Sequence, residues 1–121
     1  MIDRNVRKMA QRLAAKVKPR PPMTMLEYSD QNYYITSATD GRQRWYTRPY
    51  QRDWFLAPTD PEVECMVCQK PSRVGWSEYV KAVIAFFTDW RPSKIMLVQP
   101  TDSEVDAYSN EDLDSMFDNN H

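Results

Sequence analysis

Val6, Met9, Ala10, Leu13, Ala14 and Val17 recur at helical spacing, and the basic residues among them fall mostly on the other faces. This pattern predicts an amphipathic helix over residues 4–18. Pro19, Pro21 and Pro22 end it and form a stiff linker. Thr24-Met25-Leu26-Glu27 is a capping box, which predicts a short helix carrying Tyr28. Residues 35–48 are polar, and Asp40-Gly41 marks an irregular segment or a loose hairpin. Pro49 suits the first turn of a helix through Gln51, Trp54 and Phe55, which Thr59-Asp60-Pro61 breaks.

The second half alternates between two periods. Val63 to Cys68 predicts a strand, residues 70–77 a loop, and Glu78 to Trp90 a helix with Val80, Val83, Ile84 and Phe87 on its inner face. Arg91-Pro92-Ser93 stops that helix. Ile95-Met96-Leu97-Val98 is a short continuous apolar run of the kind found in buried parallel strands. Thr101-Asp102-Ser103-Glu104 is a second capping box, opening an acidic helix with Val105, Tyr108, Leu113 and Met116 inward. Strand, loop, helix, strand and helix in this order predict a βαβ unit. The expected class is α/β with a helical N-terminal arm: arm and linker over 1–22, and the α/β portion over 23–121.

Composition narrows the class. With 121 residues, 41% hydrophobic and 12% aromatic, the chain has enough apolar bulk for a core, which excludes wholesale disorder. No apolar run approaches the roughly eighteen residues a membrane span needs, so no membrane partner is expected. Met1-Ile2-Asp3-Arg4 leads into charges, not an apolar signal, so the expectation is an unsecreted protein of a reducing cytoplasm. Two cysteines do not make a disulfide framework.

The net charge of −1 hides an asymmetry. Residues 1–20 carry seven basic groups against Asp3 alone, and residues 100–121 carry seven acids with no Lys or Arg. A basic arm of this kind has two readings, a site for a polyanion or acidic partner and a solvated helix face.

The loop Lys70-Pro71-Ser72-Arg73-Val74-Gly75-Trp76-Ser77 carries the most chemistry. A phosphate-binding loop has the form G-x-x-x-x-G-K-[ST] between a strand and a helix. In that register Gly75 matches the second glycine and Ser77 the final hydroxyl, while Trp76 takes the usual lysine position and Lys70 the first glycine. The chemistry needs backbone N–H groups aimed at phosphates, a helix N-terminus behind them, and a cation. Lys70 and Arg73 are the candidate cations, and Ser77 sits where a hydroxyl would ligate Mg²⁺. The competing reading is an ordinary strand-to-helix connection with a capping serine.

Lys70-Pro-Ser-Arg-Val-Gly-Trp-Ser-Glu78 resembles the deviant Walker A loop of the lambda-type large terminase subunits, the ATP-driven DNA-packaging motors of tailed phages. In that branch the lysine stands at the front of the loop, as Lys70 does. Ile95 to Asp102 resembles the family's second strand and its P-T-[DV] turn. Glu27-Tyr28, Asn32-Tyr33-Tyr34, Gly41, Trp45 and Arg48-Pro49-Tyr50-Gln51 follow the order of its N-terminal pattern. The resemblance spans about residues 20–118, with Pro71, Tyr28 and the two cysteines as departures. It implies a partial P-loop NTPase of the additional-strand type, binding ATP and Mg²⁺ through Lys70, Arg73, Val74, Gly75, Trp76 and Ser77. Tyr50 and Gln51 fall where an adenine-contacting segment is expected; the other reading is helix packing by Tyr50 and solvent exposure of Gln51. The resemblance further implies double-stranded DNA, a small terminase subunit and the portal of the procapsid as partners, in the host cytoplasm, with a nuclease in the full-length family. Arg4, Arg7, Lys8, Arg12 and Lys16 on the arm would dock the small subunit or DNA.

Hydrolysis needs a further apolar strand ending in an Asp for Mg²⁺, followed by a Glu to orient water. Residues 95–98 end in Gln99-Pro100, and no acidic nuclease cluster lies in a strand context. The expectation is an N-terminal portion of the motor that binds nucleotide without turning it over. The alternative is a non-enzymatic interaction fragment acting through the basic helix. Cys65-Met-Val-Cys68 lacks a second ligand pair, so buried strand cysteines are expected there. His121 reads as a terminal residue without a role. Tyr33-Tyr34 and Trp45-Tyr46, beside Arg42, Arg44 and Arg48, suit either core packing or stacking on single-stranded nucleic acid.

Overall fold

The computed structural model of the chain describes residues 3–37 and 41–120. Asp40 of the Asp40-Gly41 turn and His121 lie outside the described residues. Helix α1 (Arg4–Val17) starts at Asp3, whose side chain accepts a hydrogen bond from the Asn5 backbone N–H at 3.3 Å. It forms as the periodicity predicts but buries no residue. Val6, Met9, Leu13 and Val17 remain 55–79% exposed.

The proline linker is pinned to the end of a distant helix. Arg20 donates to the side chain and the backbone carbonyl of Asp89, both at 2.9 Å, and lies over the Trp90 ring at 5.0 Å. Trp90 Nε1 donates to the Pro21 carbonyl at 3.2 Å. The Arg20–Asp89 pair is half exposed, so it sets position more than it adds stability.

Helix α2 (Met25–Asn32) begins with the full capping box. The Thr24 hydroxyl accepts from Glu27 N–H at 3.2 Å, and the Glu27 carboxylate accepts from Thr24 N–H at 3.0 Å. A two-stranded antiparallel sheet follows, β1 (Tyr34–Ser37) and β2 (Gly41–Arg44), with Tyr34 opposite Arg44 and Thr36 opposite Arg42. The polar 35–48 segment thus contains a true hairpin. Pro49–Gln51 forms a three-ten turn that leads into α3 (Arg52–Leu56), and Ala57–Thr59 closes with another. Helix α4 spans Trp76–Asp89. The acidic helix is α5 (Asp102–Ala107), a wider π-helical turn over Tyr108–Leu113, and α6 (Asp114–Asn119). Asn120 then brackets the Tyr34 backbone, accepting from its N–H at 2.7 Å and donating to its carbonyl at 3.0 Å.

Aromatic rings fill the space where α2, α3 and α4 meet. Phe55 and Phe86 are fully buried. Phe55 stacks on Trp45 with centroids 5.6 Å apart and meets Tyr79 edge-on at 5.2 Å. Phe86 meets Tyr28 edge-on at 5.3 Å. Each such fully buried ring stabilises the fold by roughly 1.5–3 kcal/mol relative to exposure.

The predicted βαβ unit does not form among the described residues. Segments 63–68 and 95–98 form no regular secondary structure and pair with no strand, and the sheet among the described residues is the antiparallel hairpin. Val67, Met96 and Val98 are 77–91% exposed. A buried parallel strand needs backbone partners and cover on both faces. Segment 63–68 touches α4 through Met66, whose sulfur accepts from the Tyr79 hydroxyl at 3.7 Å, and no described backbone pairs with it. The cysteines correct in the same sense: Cys65 is exposed and Cys68 half-buried, not buried in a strand. The inner face of α4 also differs. Tyr79, Ala82, Ile84, Ala85 and Phe86 are buried, whereas Val80, Val83 and Phe87 are only partly so. The helix is apolar around most of its circumference, and α2 and α3 cover the Tyr79–Phe86 stripe. On the acidic helix Met116 is buried as predicted, while Val105 is 43% exposed.

Four core tyrosines are held neutral. Burial, then the charge of Asp89, raises Tyr28; burial, then Glu78, raises Tyr33. Burial pushes Tyr79 up to about 12, with Cys68 adding to it. Burial, then Asp112 and Glu78, pushes Tyr108 up to about 12. A folded-state value above the unfolded value gives stability that is complete below the unfolded value and lost as pH rises through the folded one. The urea midpoint should therefore hold up to about pH 10 and fall between there and about pH 12, with phenolate absorbance rising alongside unfolding. A midpoint unchanged across that window would show that the tyrosines are not linked to folding.

Candidate functional site

The loop before α4 keeps an irregular backbone. Gly75 precedes the helix with φ +84°, and Arg73 is left-handed at φ +59°. The left-handed region is open to glycine and strained for arginine. Space also demands glycine at 75, since an added Cβ would sit 2.6 Å from Gln51 Nε2 and 3.6 Å from the Trp45 ring.

Gln51 holds this turn. It is 2% exposed. Its Nε2 donates to the Val74 carbonyl at 2.7 Å, and its Oε1 accepts from the Arg48 backbone N–H at 2.9 Å. Tyr50 reaches the same Val74 carbonyl through its hydroxyl at 3.4 Å. The solvent-exposed reading of Gln51 is thereby corrected: a buried amide needs partners at both ends, and the loop and the Arg48 backbone supply them.

These residues wall an open hollow of about 290 Å³. Its lining runs from Ile35, Gln43, Arg44, Trp45 and Tyr46 of the hairpin region through Arg48, Tyr50 and Gln51 to Arg73, Val74 and Gly75. Among the described residues, three arginines and no Asp or Glu line it. A site of this charge suits an anion, and Tyr46 and Tyr50, 73% and 58% exposed, offer ring surface beside it.

The structure brings Tyr50, Gln51, Arg73, Val74 and Gly75 together, and not every predicted residue joins them. Lys70 is exposed and does not line the hollow. Trp76 packs against Trp54 and Tyr79, with centroids 6.0 and 5.0 Å apart. Ser77 is exposed in the first turn of α4 and does not cap it. Arg4, Arg7, Lys8, Arg12 and Lys16 lie on α1, exposed throughout.

Arg44 and Arg48 were legible in the sequence only as neighbours of aromatics. The signal that marks them is the stretch 41–52, which holds four arginines and no acid. Of the four aromatics considered for stacking, Tyr33 and Trp45 are core residues and Tyr46 is exposed. Arg42 covers the Tyr34 ring at 3.9 Å.

Comparison with known proteins places the chain in a family. The family described as phage terminase large subunit gpA, ATPase domain, matches residues 37–121, and the chain belongs to it. The large terminase subunit of Escherichia phage lambda is 28% identical over 88 residues, covering 72% of this chain and 14% of that protein. The large terminase subunit of Enterobacteria phage P21 is 28% identical over 90 residues, again covering 72% of this chain and 14% of the relative. The chain therefore spans about one seventh of the length of these relatives. No solved structure matches. No helix among the described residues is long and apolar enough to cross a membrane.

Replacing Gly75 with Ala should destabilise the protein by about 1–2 kcal/mol from backbone strain, plus the displacement of Gln51. Denaturant titration of G75A, Q51A and the double variant checks this. The glycine change should cost less once Gln51 is already Ala. Strictly additive effects would mean that the two side chains do not meet.

Proposed function

We propose that this chain supplies nucleotide-binding groups of a DNA-packaging terminase large subunit. The observation that carries the reading is the convergence of Arg73, Val74 and Gly75 with Tyr50 and Gln51 on one hollow that no acid among the described residues lines. Three arginines and no acid among the described residues line it, so the site fits the polyphosphate of ATP. Tyr50 offers its ring to the adenine, and Gln51 positions the loop. Lys70 attracts the phosphates from the solvent side of the loop. The first turn of α4 is uncapped by any described side chain, which leaves backbone N–H groups at Trp76 and Ser77 for an anion. The hydroxyl of Ser77 suits Mg²⁺, an ion that keeps waters and takes most of its ligands from the phosphates. In the assembled motor, acting in the host cytoplasm, ATP use would drive double-stranded DNA through the portal into the procapsid, with the family's nuclease cutting it.

Calorimetric titration of the full chain with ATP, with and without Mg²⁺, tests this. Saturable binding is expected, strengthened by Mg²⁺. Ser77→Ala should remove the Mg²⁺-dependent part and leave the rest. No saturable binding at millimolar ATP would end the nucleotide reading.

A second reading is favoured by α1. Its apolar stripe is exposed beside a strongly basic face, and a helix of that kind gains from docking on a partner of acidic and apolar character. We infer that it docks the small terminase subunit. Deleting residues 1–20 should weaken that binding by about tenfold or more in a pull-down or anisotropy assay. Undiminished affinity would assign the arm another use.

A further inference from the structure

A polyphosphate seated in the hollow needs a fixed cation close to the backbone of residues 73–75. Lys70, the loop's own lysine, is not one of the hollow's walls, whereas Arg48 is. Two hydrogen bonds through one buried side chain tie Arg48 to the loop. Its backbone N–H donates to Gln51 Oε1 at 2.9 Å, and Gln51 Nε2 donates to the Val74 carbonyl at 2.7 Å. The position of the arginine and the shape of the turn are thereby set together. The Arg48 guanidinium has no ion-pair or hydrogen-bond partner among the described residues, and the residue is exposed and lines the hollow.

The flanking arginines reinforce it. Arg44 donates through Nε and Nη2 to the Asp30 backbone carbonyl at 2.9 and 2.5 Å, which fixes its side chain. Arg73 enters from the loop itself in a left-handed conformation. A planar guanidinium matches two phosphate oxygens at once, which an ammonium does not.

We propose that Arg48, supported by Arg44 and Arg73, adds a phosphate-binding cation to this site. The ligand group is the polyphosphate of a nucleoside triphosphate, so the proposal rests on the nucleotide reading above.

The test is calorimetric binding of Mg-ATP and of inorganic pyrophosphate to the full chain and to Arg48→Gln and Arg48→Lys, with circular dichroism to confirm the fold. Arg48→Gln is expected to weaken both ligands by about tenfold or more, since one charge-assisted contact is lost. Arg48→Lys should fall between it and the parent chain. If the parent chain binds both ligands and Arg48→Gln binds them equally well, the arginine assignment fails while the nucleotide reading stands. If ATP binds and pyrophosphate does not, the phosphates lie elsewhere, and the assignment fails again. If neither ligand binds the parent chain, both proposals are overturned.

Discussion

The buried amide of Gln51 is the contact on which the site depends. It joins the Arg48 backbone to the Val74 carbonyl, so residues more than twenty positions apart become one rigid corner. Because the amide lies against the turn, no side chain fits at position 75, and only glycine supports the left-handed backbone there. Breaking the clasp would leave a donor and an acceptor unpaired in a buried place, which costs more than the bonds themselves are worth. The loop therefore keeps an open, irregular shape directly before a regular helix.

The aromatic core sets where that corner stands. Trp45 walls the hollow on one side and stacks on the fully buried Phe55 on the other. Phe55 meets Tyr79 of α4, and α4 starts at the loop. Rotation of α4 would thus disturb the hollow and the core together. At the far end of the same helix, Asp89 and Trp90 hold the proline linker through Arg20 and the Pro21 carbonyl. Lys81 adds a link from α4 to the acidic helix, bonding Glu78 at 2.7 Å and Asp112 at 3.6 Å. One helix carries the connections to the hollow, the arm and the acidic segment.

The family match begins at residue 37, so it includes β2, the clasp, the loop and the acidic helix. Helices α1 and α2 lie before it. The hollow and the arm are accordingly separate matters: the first belongs to the matched region, and the second is argued from its own charge and exposed stripe. The apolar segments 63–68 and 95–98 belong to the matched region too, and they pair with no strand among the described residues.

Local chemistry was legible residue by residue. The Thr24–Glu27 box, the proline break after α1, Pro49 at the head of its turn and the glycine at 75 each stand where the chain pattern puts them. These features are decided within a few residues, by capping bonds and by fixed or permissive dihedrals, so a linear reading reaches them. Pairing of 63–68 with 95–98 was not decided there, because a strand exists only where another backbone lies beside it. The inner face of α4 was ambiguous for a related reason. An all-round apolar helix carries several stripes, and its neighbours select one. Of the site, the sequence determined the loop and its turn. Tertiary structure decided which cations meet the loop: Arg44 and Arg48 arrive from a hairpin and a turn more than twenty residues upstream, brought in by the packing of Trp45 and the hydrogen bonds of Gln51, while Lys70, adjacent in the chain, stays outside.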